Sequence, residues 1–145
     1  MKIGFLQFKP ELCKPDENIL KVREIISNCK NSYDLLVLPE LANSGYLFSS
    51  RKDALSASEE IPGGKFCQAL AEISKQKNAF IIAGISEKAG DVLYNSAILV
   101  SPKGEIETYR KTHLFYDEKI WFAAGNTGLN VFEISGKFGT VKVGM

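Results

Sequence analysis

The sequence predicts an α/β fold, a mixed β-sheet with helices on one face, and three observations predict it. Short apolar runs of strand length recur at residues 3–8, 35–38 and 79–85. Amphipathic segments of helical period separate these runs. After residue 85 the chain becomes a series of strands joined by turn chemistry. Strand, helix, strand, helix, then hairpins is the order of a mixed sheet.

Residues 3–8 read as the first strand. Pro15-Asp16 then opens a helix with Asp16 as its N-cap, and Ile19, Val22, Ile26 and Cys29 form one apolar stripe along it. Asp34 ends that connection. Leu35-Leu36-Val37-Leu38 is a continuous apolar run, as in a strand buried on both faces, and Ala42-Asn43-Ser44-Gly45 is loop composition. Residues 41–62 form a long connection without clear periodicity, with a short helix at about 51–55; connections of that length in compact domains are often functional.

Gly63-Gly64-Lys65 is not a phosphate loop, because the first glycine of that pattern is missing and Phe66 stands where Ser or Thr belongs. Phe66, Leu70 and Ile73 instead mark a second amphipathic helix ending near Asn78. Residues 79–85 are a buried strand, Ala89-Gly90-Asp91 a turn, and residues 92–100 the next strand. Ser101-Pro102-Lys103-Gly104 turns the chain into a strand running through Tyr109. Residues 129–134 and 140–145 are two further strands, joined by Ser135-Gly136-Lys137-Phe138-Gly139. The last reads as a strand stopped in its course, with no helix to cover it, so the chain reads as unfinished.

A chain of 145 residues, 45% hydrophobic and 24% charged, suits one ordinary globular domain, residues 1–145. No apolar run approaches the ~20 residues of a membrane span, and the N-terminus starts a strand instead of a signal peptide; no membrane partner and a cytoplasmic location are expected. A net charge of +1 with interspersed signs offers no basic stripe, so nucleic acid is not an expected partner. Three cysteines without C-x-x-C pairing and one histidine indicate neither disulfide framework nor metal site, and no cofactor is expected. Cys29 and Cys67 read as buried structural thiols on helices. Cys13, in a Lys/Pro-flanked loop, reads as exposed, with nothing nearby to depress its pKa.

Glu40 stands just past a strand's carboxyl end, where open α/β sheets place ligand sites, although a glutamate there commonly just meets water. Arg110 and Lys111 end another strand; alone they read as a solvated edge, since lysines discourage edge pairing. His113 is the tempting general base by its ordinary pKa, but beside Leu114 and Phe115 it reads more readily as a hydrogen-bonded structural residue.

Together, these segments resemble the nitrilase superfamily of carbon–nitrogen hydrolases. The resemblance is carried by the opening strand, Leu38-Pro39-Glu40 followed by Gly45-Tyr46, Ile61-Pro62-Gly63-Gly64, Tyr94-Asn95-Ser96-Ala97, the run from Tyr109 to Phe115, and Phe122 through Gly125. It implies an α-β-β-α sandwich of which this chain is half. It also implies hydrolysis of non-peptide C–N bonds, in amides or carbamoyl amides and more rarely nitriles, by a Glu–Lys–Cys triad.

By that resemblance Glu40 is the general base, Lys111 stabilises the oxyanion, and Glu118 holds the substrate or the lysine. Alone, Glu118 reads equally as an exposed member of Asp117-Glu118-Lys119. Glu40 and Lys111 are expected within ~3–5 Å of each other, the range of an ion pair. The family's cysteine lies just beyond the segment that residues 141–145 resemble, and none of this chain's three occupies its motif. The expectation is an N-terminal half-domain, inactive and unstable alone, of an enzyme acting on a small-molecule amide as a homodimer or larger homo-oligomer. An inactive truncated member serving as a binding or structural protein is the alternative. A phosphate-binding module using Arg110 and Lys111 is a weaker one, since no glycine-rich loop leads a strand into a helix.

Overall fold

The computed structural model describes residues 1–145. In chain order the elements are β1 (Ile3–Phe5), α1 (Pro15–Asn28), β2 (Leu35–Val37), α2 (Arg51–Ala57), α3 (Lys65–Lys77), β3 (Phe80–Ala89), β4 (Val92–Val100), β5 (Ile106–Arg110), α4 (Glu118–Trp121), β6 (Val131–Gly136) and β7 (Gly139–Gly144). Strands β1 to β5 form one sheet in sequence order. β1, β2 and β3 are parallel, with Leu35 opposite both Ile3 and Phe80, and β3, β4 and β5 are antiparallel. The change of sense follows from the connections: helical crossovers join parallel neighbours, whereas Gly90 at φ 62° and Gly104 at φ 88° make the turns between antiparallel ones.

Because side chains alternate along a strand, the sheet has two apolar faces. Leu36, Ile81, Ala83, Ile85 and Ile98 meet Val22, Ile26, Phe66, Leu70 and Ile73 of α1 and α3 in the main core. Leu35, Val37, Phe80, Ile82 and Leu99 point the other way, toward Phe132, Ile134, Val141 and Val143. Thus β6 and β7 do not extend the mixed sheet: they pair with each other and lie over its second face, where burial of those side chains favours them. The layers run helices, sheet, then a strip of second sheet, the order of the first three layers of an α-β-β-α sandwich.

Several local expectations need correction. Asp16 is not the N-cap of α1; Lys14 is, with Pro15 at the first helical position and Asp16 and Glu17 in the first turn, where carboxylates face the positive end of the helix. The stripe ends at Ile26, and Cys29 is exposed at the C-cap because the helix stops before it can turn inward. Buried Asn18 takes part of the helix's inner face instead. Its side chain accepts from the Glu11 N–H at 2.7 Å and donates to the carbonyls of Glu11 at 2.8 Å and Asn43 at 3.0 Å, tying α1 to the loop after β2. β2 stops at Val37 because Pro39 has no N–H to continue its ladder.

The Gly-Gly-Lys segment has a structural use. The Glu59 carboxylate accepts the N–H groups of Phe66 at 2.9 Å and Cys67 at 2.8 Å at the start of α3, so the anion at that helix N-terminus is the protein's own. A Cβ at Gly64 would lie 2.4 Å from the Glu59 side chain, which is why a residue without one stands there. Cys67 is fully buried, and burial together with neighbouring Glu59 pushes its thiol far above the ordinary range.

Candidate active site

The loop after β2 is stitched to β3 on both sides of Glu40. Leu38 N–H donates to the Ile82 carbonyl at 2.8 Å, Gly84 N–H to the Pro39 carbonyl at 3.1 Å, and Ala42 N–H to the Gly84 carbonyl at 2.8 Å. Leu41 follows in the left-handed region at φ 47°, a bend that its burial holds in place. The Asn43 side chain brackets Ser86, accepting from its N–H at 2.8 Å and donating to its carbonyl at 3.3 Å. Glu40 therefore projects from a rigid corner.

Lys111 follows the last residue of β5. Its N–H donates to the Asn95 carbonyl at 2.8 Å, and its carbonyl accepts from Gly125 N–H at 2.9 Å. Arg110 and Lys111 point oppositely, as strand neighbours do, and neither forms a solvated edge. Arg110 lies over the Tyr94 ring, 4.0 Å from its centroid, and donates to both oxygens of buried Glu87, at 2.9 Å and 2.5 Å. The geometry locks β5 across β4 to β3, fixing the strand that presents Lys111.

Lys111 Nζ donates to Glu40 Oε1 at 2.8 Å and to Glu118 Oε1 at 2.9 Å. Asn95 Nδ2 donates to the same two atoms, at 2.6 Å and 2.9 Å. Glu118 Oε2 accepts the Phe115 N–H at 2.6 Å, while Glu40 Oε2 has only the Tyr46 hydroxyl, at 3.5 Å. Three residues chosen from the sequence thus meet, and Glu118 is not an exposed member of its charged run: α4 turns its half-buried carboxylate inward.

Burial penalises the charge of Glu118, but the Phe115 N–H, Lys111 and Asn95 outweigh it and hold the carboxyl below its ordinary range. Burial likewise disfavours the Lys111 ammonium, and its bonds to Glu40 and Glu118 reverse the balance, raising its pKa. The carboxylates that could hold a metal cation already share a lysine. Tyr46 is raised by burial and by Glu40.

Two cavities meet at Glu40 and Lys111. One, about 370 Å³, lies on the face of β3 and β4 that also carries Ile82 and Ala97, and is walled by Ser96 and Tyr109. The other, about 460 Å³, is lined by Tyr46, Phe48, Phe115, Tyr116, Trp121 and Phe122. His113 lines neither; it is exposed, with its Nδ1 3.2 Å from the Thr112 hydroxyl. None of the three cysteines lines them either. Cys13 is half-buried, its thiol raised by burial and by Asp53, and is not the exposed thiol that its loop suggests. Asn95, Tyr46 and Glu87 carry no role in the sequence reading; the legible signal is an asparagine within an apolar strand, whereas its burial, 3% exposed, comes from the fold.

Gly84 seats the glutamate: a Cβ there would fall 2.4 Å from the Glu40 Cα. Gly84→Ala is expected to push the Glu40 corner off β3 and lower stability by about 1–3 kcal/mol, the scale of overpacking. Gly63→Ala, with nothing within 4 Å of the new methyl, should change stability by less than ~0.5 kcal/mol. Urea denaturation of the intact protein measures both, and equal effects would refute the close-approach argument.

Residues 2–145 match the carbon–nitrogen hydrolase family. The chain is 40% identical over 146 residues to the nitrilase of Pyrococcus abyssi, covering 100% of itself and 54% of that protein. It is 35% identical over 138 residues to the protein N-terminal amidase of Schizosaccharomyces pombe, covering 86% of itself and 47% of that protein. A crystal structure of an N-terminal amidase superposes with a TM-score of 0.83 at 26% identity, over 99% of this chain and 38% of that one. The chain spans about half the length of these curated relatives. With the match extending through nearly every residue, on the mixed sheet just described, the chain belongs to the carbon–nitrogen hydrolase family.

Proposed function

We propose that this chain supplies the acid–base and oxyanion part of the active site of an enzyme that hydrolyses non-peptide C–N bonds. Its substrates are small amides or carbamoyl amides and, less readily, nitriles. The observation that carries the reading is the Lys111 ammonium held between two carboxylates where two cavities meet. An ammonium has three N–H donors; two are used, and the third is free for a substrate oxygen. The relatives' names, amidase and nitrilase, support the reaction class.

The nucleophile in this reading is a cysteine outside these 145 residues, since Cys67 is sealed in the core and neither Cys13 nor Cys29 lines the site. Its thiol proton passes to Glu40 Oε2 as sulfur attacks the carbonyl carbon. Lys111 donates its free N–H to the oxygen that becomes negative. The C–N bond then breaks, the nitrogen leaving with the proton returned by Glu40. Water, deprotonated by Glu40, next attacks the thioester and releases the acid and the thiol. Glu118 stays ionised and holds Lys111. A homodimer or larger assembly belongs to this proposal through the family resemblance, and a cytoplasmic location is proposed with it from the sequence reading.

The test is ammonia release by the intact protein from a panel of amides, carbamoyl amines and nitriles, before and after thiol alkylation. Hydrolysis lost on alkylation is expected, and residues 1–145 by themselves should release none. An intact protein with no hydrolysis would favour the second reading, a family member that keeps the half-sandwich as a binding or structural module.

A further inference from the structure

We propose that Asn95 is a positioning residue whose amide closes a circuit of alternating donors and acceptors, barring a proton from between Glu40 and Glu118 and leaving Glu40 Oε2 to receive it. This rests on the amide-hydrolase reading above and assigns the route of its proton.

The circuit has four corners. Lys111 Nζ and Asn95 Nδ2 each contact Glu40 Oε1 and Glu118 Oε1, at distances from 2.6 to 2.9 Å. The amide's orientation follows from its partners, because only its N–H side can face two carboxylates. Both Asn95 hydrogens are then committed.

A proton placed on either Oε1 would face an ammonium and an amide N–H, with no acceptor to share it. Two carboxylates drawn close around one site ordinarily keep a proton between them, as like charges demand. Here the two donor corners remove that option. Glu118 Oε2 is closed as well, by the Phe115 N–H at 2.6 Å. Of the four carboxylate oxygens, Glu40 Oε2 alone lacks a close donor, having the Tyr46 hydroxyl at 3.5 Å. Glu118 thereby becomes a fixed anion and Glu40 the base. Lysine alone could attract the two glutamates; the neutral donor opposite it is what makes the circuit symmetrical.

The placement of Asn95 suits this task. It lies on β4 opposite Ser86, is 3% exposed, and its carbonyl also holds the Lys111 backbone at 2.8 Å. The groups facing it are Glu40 from the loop after β2, Lys111 at the end of β5 and Glu118 from α4, with Tyr46 and Asp117 along the adjoining cavity. The lowered Glu118 carboxyl, to which Asn95 contributes, agrees with a permanently ionised corner.

Two variants of the intact protein test this. Asn95→Leu keeps the volume and removes both donors; Asn95→Asp replaces the donor corner with an acceptor. The readouts are kcat and KM across pH, and carboxyl ¹³C NMR titration of the glutamates. Asn95→Leu is expected to lower kcat about 10- to 100-fold with KM little changed, and to move the acid limb and the Glu118 titration up by about one pH unit, the scale of a lost charge-stabilising hydrogen bond. Asn95→Asp is expected to be inactive at neutral pH and to regain turnover toward acid, where its protonated carboxyl can donate again.

A kcat loss with both the pH profile and the carboxyl titrations unmoved would overturn the proposal and make Asn95 merely structural. Should Asn95→Leu fail to fold, Asn95→Asp, of equal size, carries the test. If the wild-type protein hydrolyses nothing on the panel, the amide-hydrolase reading fails by itself. The NMR titration then still decides the circuit: an upward shift sustains it and an unmoved one refutes it.

Discussion

Lys111→Ala is expected to cut amide turnover by the intact protein at least ~100-fold, the scale of a lost oxyanion donor. Two losses combine. The substrate oxygen has no ammonium to meet as it becomes negative, and Glu40 and Glu118, whose Oε1 atoms now share one lysine at 2.8 and 2.9 Å, keep only Asn95 between them. Their repulsion opens the site or binds a proton that the reaction needs elsewhere. Lys111→Arg should not restore activity, because a planar guanidinium cannot fill the point-charge position between two carboxylates while presenting a third donor toward the cavity. Steady-state kinetics decide it; a Lys111→Ala protein within tenfold of wild type would remove Lys111 from the chemistry.

Glu40→Gln is expected to have an effect of similar size, ~100-fold or more, while leaving the fold intact. The side chain keeps its shape. Its carbonyl oxygen will face the Lys111 ammonium and the Asn95 N–H, which both demand an acceptor, so its NH₂ takes the place of Oε2. An amide nitrogen there cannot accept the thiol proton. Exposed His113 is the control, and His113→Ala should change turnover less than ~3-fold, as surface substitutions away from a site do. Abolished activity in a well-folded His113→Ala protein, with Glu40→Gln unaffected, would reverse the roles.

Much of the fold was legible because its signals are local. The helix of residues 65–77 is announced by Phe66, Leu70 and Ile73 and ended by Asn78, which takes the left-handed cap at φ 50°. The turn at Gly90 and the strands on either side of it are equally plain. The misreadings arose at helix ends, where the boundary fell a residue or more from the place the local pattern indicated. Asp16 looked like a cap, but Pro15 had already entered the helix; Cys29 fitted the stripe, but the helix stopped first.

The sequence by itself determined the order of all elements except the short α4, the strand-end positions of Glu40 and Lys111, and the family to which its ordered motifs belong. Periodicity, turn residues and motifs are all written within a few positions of one another, and can be read without a structure. The contact of Glu40 with Lys111 across 71 positions was expected from the motifs, but tertiary structure alone decided that Asn95 reaches Glu40 across 55. It also decided that Arg110 pairs with a buried Glu87, and that β6 and β7 cover the sheet instead of lengthening it. These outcomes depend on which face of a sheet each side chain occupies and on what the packed chain brings opposite it. Side-chain direction reverses at every strand residue, so partners are settled only when the register of neighbouring strands is set.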